Sequence, residues 1–255
     1  GSIGLQYNPI AIAQYGLGNY NLYLDTNEIE NLNKFYAVAD WLTESLKPNQ
    51  KDIYVWNHYF DFEYRDALKS PWYSGLAQGL GLSVLARAYQ ESNEQKYLEA
   101  HKKAWISMTK KIDEGGVIDI DKDGNYWIEE YIVNPPTHIL NGFIWALWGV
   151  YDSWKLLEIE LAENLLKKCY RTLEKNIEKY DNGYWSLYDQ AGLPLNNMAS
   201  SFYHKLHIVQ LEILSNLSGN HTFQKYADKW RSCNSSNFYK YRSLINKSIF
   251  NLIES

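Results

Sequence analysis

Acidic and phenolic side chains carry the clearest chemical signal in this 255-residue sequence. Glu129, Glu130 and Tyr131 follow the strand-like pair Trp127-Ile128 and precede Pro135-Pro136, which places two carboxyl groups and a phenol at the end of an element. Carboxyl and phenol groups can exchange protons with a bound substrate, so these residues indicate general acid–base chemistry. A solvated pair of glutamates at a strand end is the structural alternative.

Residues 119–130 match the EF-hand pattern D-x-D-x-D-G-x5-E, which makes Asp119, Asp121 and Asp123 candidate calcium ligands. An EF-hand needs a helix on each side of the loop, whereas the flanking residues are typical of strands. We therefore interpret the Asp-Gly dipeptide as the turn of a β-hairpin over residues 117–128. A structural calcium ion stays the alternative, and no other metal is predicted.

A second group of candidate residues combines a short predicted strand with a predicted helix. Tyr188 ends the strand, and Tyr203, His204 and His207 lie on the helix. The two histidines share a helix face at a spacing that a metal could use, but no carboxylate or cysteine nearby completes a ligand set. Histidines in the core or in a cleft are the favoured interpretation, and the tyrosines are equally consistent with a core.

Several common functional classes leave no signature in this sequence. It contains no GxGxxG, P-loop, HExxH or GxSxG pattern, and its two cysteines, Cys169 and Cys233, fit neither a disulfide scaffold nor a zinc ribbon. The formal charge is −5 without a basic cluster, so nucleic acid is not expected as a partner. No apolar run is long enough for a membrane span. Aromatic residues make up 16% of the chain, which suits sugar rings as well as a large core.

Hydrophobic spacing predicts eight or nine helices in close succession. Asn8-Pro9 reads as an N-cap followed by proline at the first helical position. The aromatic residues 52–64 fit a strand or a loop, and residues 184–188 a short strand. The predicted helices cover residues 9–24, 27–47, 71–88, 94–112, 137–156, 159–179, 199–217, 221–231 and 236–253.

This order of elements predicts an all-α fold of antiparallel helical hairpins around one core, with short β-hairpins between them. No linker rich in proline, glycine or serine divides the chain, so we expect a single domain over residues 7–253. Gly1-Ser2 resembles a cloning scar. An extracytoplasmic location would follow only if a signal segment had been removed, so no compartment is predicted.

Seven short strings, in order over residues 7–231, together resemble the C-terminal domain of the D-glucuronyl C5-epimerase family, which acts on heparin and heparan sulfate. The resemblance implies an (α/α) barrel, or toroid, of antiparallel helices around a cleft, with the β-hairpins at one mouth. The strings are Tyr7–Gly16, Trp72–Gly79, Glu129–Tyr131, Leu140–Phe143, Gly149–Asp152, Leu187–Asp189, and Tyr203-His204 with His207.

Carried onto this sequence position by position, the resemblance implies which residues form the site. The catalytic residues it implies are Glu130, Tyr131, Tyr188 and Tyr203. The substrate-binding residues it implies are Trp72, Tyr73, Gln78, Asn141, His204 and His207.

The sequence departs from the family pattern at two arginines. The string Tyr188–Ala191 replaces Tyr-Asp-Leu-Arg, and Ser200 stands where the family has an arginine before the second tyrosine. The N-terminal β-barrel of the animal enzymes is not found in this sequence. The resemblance therefore does not determine how the substrate is bound or whether the chain forms a homodimer.

The chemistry explains why a cation matters. Inverting C5 of a hexuronate removes the hydrogen beside a carboxylate and returns one from the opposite face, so acid–base groups are needed on both sides of the ring. The carboxylate must be neutralised, because the enolate would otherwise carry two negative charges. Arg65, which we count among the substrate-binding residues, is one candidate cation. The others are Lys69, His138, His204 and Lys205, and lysines 69 and 205 are expected to form a basic patch with Arg65 along the cleft.

The leading hypothesis is a hexuronate C5-epimerase, independent of nicotinamide or flavin, that converts glucuronate to iduronate in a heparosan-like acidic polysaccharide. A lyase or glycoside hydrolase on another α/α toroid is the enzymatic alternative, because the same carbanion can expel the 4-O leaving group. A glycan-binding module that kept the aromatic cleft is the alternative without catalysis.

Overall fold

The computed structural model describes residues 4–253, in which the helical spacing of the sequence forms nine α-helices. The Gly1-Ser2 pair lies outside the described residues. The helices are α1 Pro9–Thr26, α2 Ile29–Ser45, α3 Gly75–Ser92, α4 Gln95–Trp105, α5 Leu140–Leu157, α6 Glu160–Asn176, α7 Ser201–Ser218, α8 His221–Asn234 and α9 Asn237–Ile253.

Local signals set the start of several helices. Pro9 opens α1, and the side chain of Asn8 accepts a hydrogen bond from the backbone N–H of Ile10 at 3.0 Å, which confirms the predicted N-cap. Ser74 and Ser200 cap α3 and α7 in the same way. Each hydroxyl satisfies a backbone donor that has no partner within its helix.

Successive helices pair into hairpins, α1 with α2, α3 with α4, α5 with α6 and α7 with α8. Helices α1, α3, α5 and α7 also contact one another in chain order, so they form an inner layer that the even-numbered helices cover from outside, while α9 packs on α8. Because every second helix runs in the same direction, the N-terminal ends of α3, α5 and α7 lie at one end of this layer. The predicted all-α toroid is confirmed.

Glycines allow α3 and α5 to approach closely. A Cβ atom on Gly149 would overlap the carbonyl oxygen of Gly79, and a Cβ on Gly79 would overlap Ala146. Both helices are buried along most of their length in one large apolar cluster, which includes Leu85 and Phe143. The α3–α5 pair is therefore the rigid centre of the inner layer.

Eight short strands form four antiparallel pairs, β1–β2, β3–β6, β4–β5 and β7–β8. The last pair is the predicted hairpin at residues 117–128. The strands are β1 Lys47–Pro48, β2 Tyr54–Val55, β3 Asn57–His58, β4 Phe62–Glu63, β5 Ala67–Leu68, β6 Trp72–Tyr73, β7 Ile118–Ile120 and β8 Tyr126–Ile128.

Some predicted boundaries were wrong. The helix expected over 94–112 ends at Trp105 and continues as the 3-10 turn Ile106–Thr109, because the chain must reach the β7–β8 hairpin. Residues 184–188 form isolated bridges, such as Leu187 with Met198, instead of a strand. Among the described residues, no helix is both long and apolar enough to cross a membrane.

Candidate functional site

A cavity of about 580 Å³, which we call the mouth cavity, is lined by the start of α7, by α9 and by the segments that precede α3, α5 and α7. Tyr131 reaches it from the segment before α5, Tyr188 from the irregular segment between α6 and α7, and Tyr203 from the first turn of α7. The other lining residues are Phe62, Tyr64, Arg65, Asp189, Ala191, Leu193, Asn197, Ser200, Lys247 and Phe250.

Backbone hydrogen bonds bring these distant segments together. The N–H of Gly75, at the start of α3, donates to the carbonyl of Glu129 at 2.9 Å. The N–H of Leu140, at the start of α5, donates to the carbonyl of Tyr188 at 3.0 Å. The start of α3 therefore holds the segment that carries Glu130, and the start of α5 holds the segment that carries Tyr188.

Glu130 lies behind the cavity wall with 5% of its surface exposed. Burial raises the pKa of its carboxyl group to about 7, the charge of Glu129 adds to this effect, and a hydrogen bond with Tyr131 opposes it. The Oε2 atom has no hydrogen-bond partner among the described residues. A carboxyl group with this pKa can both accept and release a proton near neutral pH.

The charge of Glu130 acts on the tyrosines that line the cavity, among them Tyr131, Tyr188 and Tyr203. Burial raises the pKa of Tyr131, Tyr188 and Tyr203, and the negative charge of Glu130 is the next largest cause for each of them. The rings of Tyr188 and Tyr203 meet edge to face with centroids 5.0 Å apart. All three phenols are therefore protonated at neutral pH and can act as donors.

Asp189 organises the floor of the cavity. Its Oδ2 atom accepts hydrogen bonds from the hydroxyl of Tyr64 at 2.8 Å and from Nδ2 of Asn197 at 2.7 Å, and Oδ1 accepts one from the N–H of Ala191 at 3.2 Å. The aspartate is 5% exposed. Its charge is thus compensated by neutral donors of the protein.

Two cations line the mouth cavity, Arg65 and Lys247. The Nη1 atom of Arg65 donates to the carbonyl of Ala191 at 3.1 Å, and Nζ of Lys247 donates to Oδ1 of Asn197 at 2.5 Å. Of the five cations considered from sequence, Arg65 is the one that the structure places in the cavity wall.

The other four candidate cations are elsewhere, which corrects the predicted basic patch. Lys69 is exposed and pairs with Asp61 at 2.7 Å, and Lys205 is exposed outside the cavity lining. His138 is bound to Glu129 at 2.5 Å, and His204 is fully buried.

Gln78, which was predicted to bind substrate, does not line the mouth cavity. It is fully buried, and Oε1 accepts from the N–H of Trp56 at 2.9 Å while Nε2 donates to Oγ of Ser107 at 2.9 Å. The Gln78 amide provides hydrogen-bond partners for buried polar groups, and it thereby links the residues between β2 and β3 to α3.

His204 and His207, which were also predicted to bind substrate, are fully buried and do not line the mouth cavity. Both Nδ1 atoms lie within hydrogen-bonding distance of Oγ of Ser186, at 2.8 and 2.9 Å. His204 stacks on Trp185 at 3.7 Å. These contacts anchor the irregular segment that carries Tyr188, so the two histidines position the site without touching the cavity.

The remaining predicted binding residues lie around the cavity rather than in its lining. Trp72, 8% exposed, stacks on His58 at 3.8 Å and packs 5.9 Å from the ring of Tyr131. The hydroxyl of Tyr73 donates to the carbonyl of Gly116 at 3.3 Å. Asn141 is 2% exposed, and its Oδ1 atom has no partner among the described residues. Trp72 therefore supports Tyr131 from behind.

The EF-hand-like ligand set does not form. Although partial burial raises the pKa of Asp121, hydrogen bonds, foremost from the side chain of Asn125, lower it to about 2, because this carboxylate caps the hairpin turn. Asp123 contributes its backbone N–H to the same cap at 2.8 Å. Within residues 4–253, Asp119 instead lies with Glu129 and His138, whose ligand atoms are within 4.8 Å of one another.

A second cavity, of about 630 Å³, runs along the concave side of the inner helices. Its polar floor is the ion pair between Arg87 and Asp152 at 2.8 Å, and Trp145 and Trp148 line its apolar side. Although this groove is slightly larger, Tyr131, Tyr188 and Tyr203 line the mouth cavity, and Glu130 is buried next to Tyr131. The mouth cavity is therefore the candidate site.

Sequence reasoning missed Tyr64, Asn197 and Lys247 as cavity residues. Asp189 was part of a matching string but received no role. No local pattern marks these residues, because they come from β-turn, loop and helix segments that meet only in the folded chain.

Comparisons with known proteins agree with this fold. Cellobiose 2-epimerase from Spirochaeta thermophila superposes with a TM-score of 0.62 at 12% identity, over 90% of this chain and 57% of that one. A variant α-1,6-mannanase of family GH76 from Salegentibacter, solved with α-1,6-mannotriose, gives a TM-score of 0.60 at 14% identity, over 89% of this chain and 60% of that one.

Sequence comparison reaches closer relatives. A D-glucuronyl C5-epimerase of Caenorhabditis elegans is 33% identical over 214 residues, covering 77% of this chain and 34% of the relative. An uncharacterized protein of Methanocaldococcus jannaschii is 29% identical over 201 residues, covering 77% of this chain and 64% of the relative. The chain thus spans about a third of the first protein and just under two thirds of the second. The family model for the D-glucuronyl C5-epimerase C-terminus matches residues 50–232, and this chain belongs to that family.

Proposed function

We propose that this chain is a cofactor-independent hexuronate C5-epimerase that acts on an acidic polysaccharide of the heparosan type. One observation carries the proposal: Tyr131, Tyr188 and Tyr203 line one cavity, and the charge of the buried Glu130 acts on all three phenols. Its volume of about 580 Å³ is in the usual range for small-ligand sites. The family match supports a uronate as the substrate class.

In this proposal Glu130 is the base that receives the C5 proton, directly or through Tyr131. Its pKa of about 7 gives a substantial ionised fraction at neutral pH and still a strong enough base for proton abstraction. The product of this step is the enolate of the uronate carboxylate, with the C–H electron pair delocalised onto its oxygens. The phenols around the cavity donate hydrogen bonds to that charge.

The second step returns a proton to C5 from the opposite face, and we assign it to the Tyr188–Tyr203 pair. Transfer of the C5 proton to Glu130 neutralises the carboxylate that helps to raise the pKa of both phenols. The donors therefore become more acidic at the stage where a proton is needed. Proton return through Tyr131 and solvent then restores the ionised carboxylate and neutral phenols.

The test is proton NMR of heparosan incubated with the protein in deuterated water. We expect solvent deuterium at C5 of glucuronate, new iduronate signals and an intact polymer. Glu130→Gln, which keeps the shape but cannot accept the proton, should show no incorporation.

Other products would contradict the proposal in identifiable ways. An unsaturated uronate that absorbs in the near ultraviolet indicates a lyase, and new reducing ends without it indicate a hydrolase. Binding of the polymer without exchange of C5 hydrogen indicates a glycan-binding module.

A further inference from the structure

The last helix of the described chain, α9, is fixed against the segment that carries Tyr188. Tyr239 of α9 stacks on Tyr184 with ring centroids 5.2 Å apart, and Nδ2 of Asn246 donates to the Tyr184 hydroxyl at 2.9 Å. The guanidinium of Arg242 lies 4.6 Å from the centroid of the same ring. These contacts place the later part of α9 over the mouth cavity.

Lys247 and Phe250 are the two α9 residues that line this cavity. The Nζ atom of Lys247 donates to Oδ1 of Asn197 at 2.5 Å and lies 5.8 Å from the centroid of the Tyr188 ring. The ammonium group is therefore held beside one of the phenols to which we assign the return of the proton.

This ammonium group has unused bonding capacity. It carries three N–H donors, and the hydrogen bond to Asn197 uses one of them. Among residues 4–253 no carboxylate forms an ion pair with Lys247. The oxygens of nearby Asp189 already accept from Tyr64, Asn197 and Ala191. A half-buried cation with spare donors is suited to an anionic ligand.

We propose that Lys247 is a specificity-determining residue that binds the carboxylate of the hexuronate in the mouth cavity. The inference rests on the proposed function, because that function defines the carboxylate-bearing sugar. Its attraction for the sugar carboxylate also stabilises the enolate, whose charge develops on the same oxygens.

Burial lowers the pKa of Lys247, and the charge of Asp189 opposes this effect. A carboxylate bound beside the ammonium favours its charged form. Arg65 provides the other cation of the cavity, but one of its guanidinium nitrogens is tied to the carbonyl of Ala191 at 3.1 Å. Lys247, in turn, lies 5.8 Å from the ring centroid of Tyr188, one of the two donor phenols.

The experiment measures calorimetric binding of a heparosan octasaccharide and of the same octasaccharide with its carboxyl groups reduced to alcohols. Lys247→Met removes the charge at similar length, Lys247→Arg keeps it, and Lys240→Met on the same helix is the matched control outside the cavity lining. Thermal unfolding establishes that each variant is folded.

We expect Lys247→Met to weaken binding of the natural octasaccharide by about 10- to 100-fold and to leave binding of the reduced one unchanged. Lys247→Arg should stay close to the wild type, and Lys240→Met should equal it. Equal affinity of Lys247→Met and wild type, an equal loss for both sugars, or no binding of the natural sugar by the wild type would overturn the proposal. If the wild type shows this carboxylate-dependent binding but exchanges no C5 hydrogen, the epimerase proposal fails while the assignment of Lys247 stands.

Discussion

The carboxylate of Glu130 occupies the space that a side chain on Gly142 would need. A Cβ atom built on this glycine, in the first turn of α5, would overlap Oε2 and crowd Cβ and Cδ of the glutamate. The absence of a side chain at position 142 thus lets a buried carboxyl group lie against the helix.

We expect Gly142→Ala to displace Glu130, to lower the stability by about 1–3 kcal/mol and to reduce C5 exchange by about 10-fold or more. Gly18→Ala on α1 is the control, since its Cβ would meet no atom within 4 Å. That change should leave the stability equal or raise it by about 0.5–1 kcal/mol. Urea unfolding and deuterium incorporation measure both effects, and similar behaviour of the two variants would contradict the packing argument.

Glu130 makes the stability depend on pH. Burial raises its pKa from 4.5 to about 7 in the folded protein, so the folded state binds this proton more tightly than the unfolded chain does. The stabilisation that comes from binding this proton is therefore fully present below about pH 4.5, and it is lost as the pH rises through 7.

We accordingly expect Glu130→Gln to be more stable than the wild type at pH 8 by up to about 3 kcal/mol, and to lose this advantage at pH 4.5. Denaturant unfolding at the two pH values measures the difference. The exposed variant Glu63→Gln should show no such change. An advantage of Glu130→Gln that is the same at both pH values would contradict the assignment.

The phenolic protons of the cavity should matter for the reaction but not for the fold. We expect Tyr188→Phe and Tyr203→Phe to reduce C5 exchange by about 100-fold or more, the usual scale for a general acid or base. Tyr59→Phe, at an exposed position, should retain wild-type exchange. Unchanged exchange in both cavity variants would leave these tyrosines as packing residues.

Buried histidines predict a loss of stability in acid. Burial lowers the pKa of His58 and His204 to about 4 and of His101 and His207 to about 3, whereas the unfolded chain takes up these protons near 6.5. Each histidine therefore costs stability as the pH falls below 6.5, by about 2 kcal/mol at pH 5. Protonation of Glu130 stabilises the folded state as the pH falls, but this single group is opposed by the four buried histidines.

Urea unfolding between pH 7 and 5 should show this decline. His207→Gln should be less stable than the wild type at pH 7, because Ser186 loses a partner, yet its stability should fall less steeply with pH. A stability that stays constant over this interval would contradict the origin proposed here.

The sequence allowed the helical hairpins to be predicted because each buries one stripe of apolar residues, and repeated spacing reveals that stripe. It also indicated Glu130 and the tyrosines through the strings around them. Motif membership did not distinguish Gln78 and His204 from cavity residues, since a buried polar side chain with backbone and hydroxyl partners looks the same in sequence. Lys247 was missed because no local pattern shows which side of α9 meets a loop 50 positions earlier in the chain, at Asn197.

The family match ends at residue 232, whereas the wall formed by α9 begins at Asn237. The residues to which we assign proton transfer therefore lie within the family match, whereas Lys247, to which we assign binding of the sugar carboxylate, lies beyond it. If both assignments hold, a change in the terminal helix would alter the choice of polymer and leave the acid–base groups intact. The choice of polymer could then change between relatives that keep the same reaction. A domain boundary placed at residue 232, where the family match ends, would cut the site in two, because Lys247 and Phe250 lie beyond it.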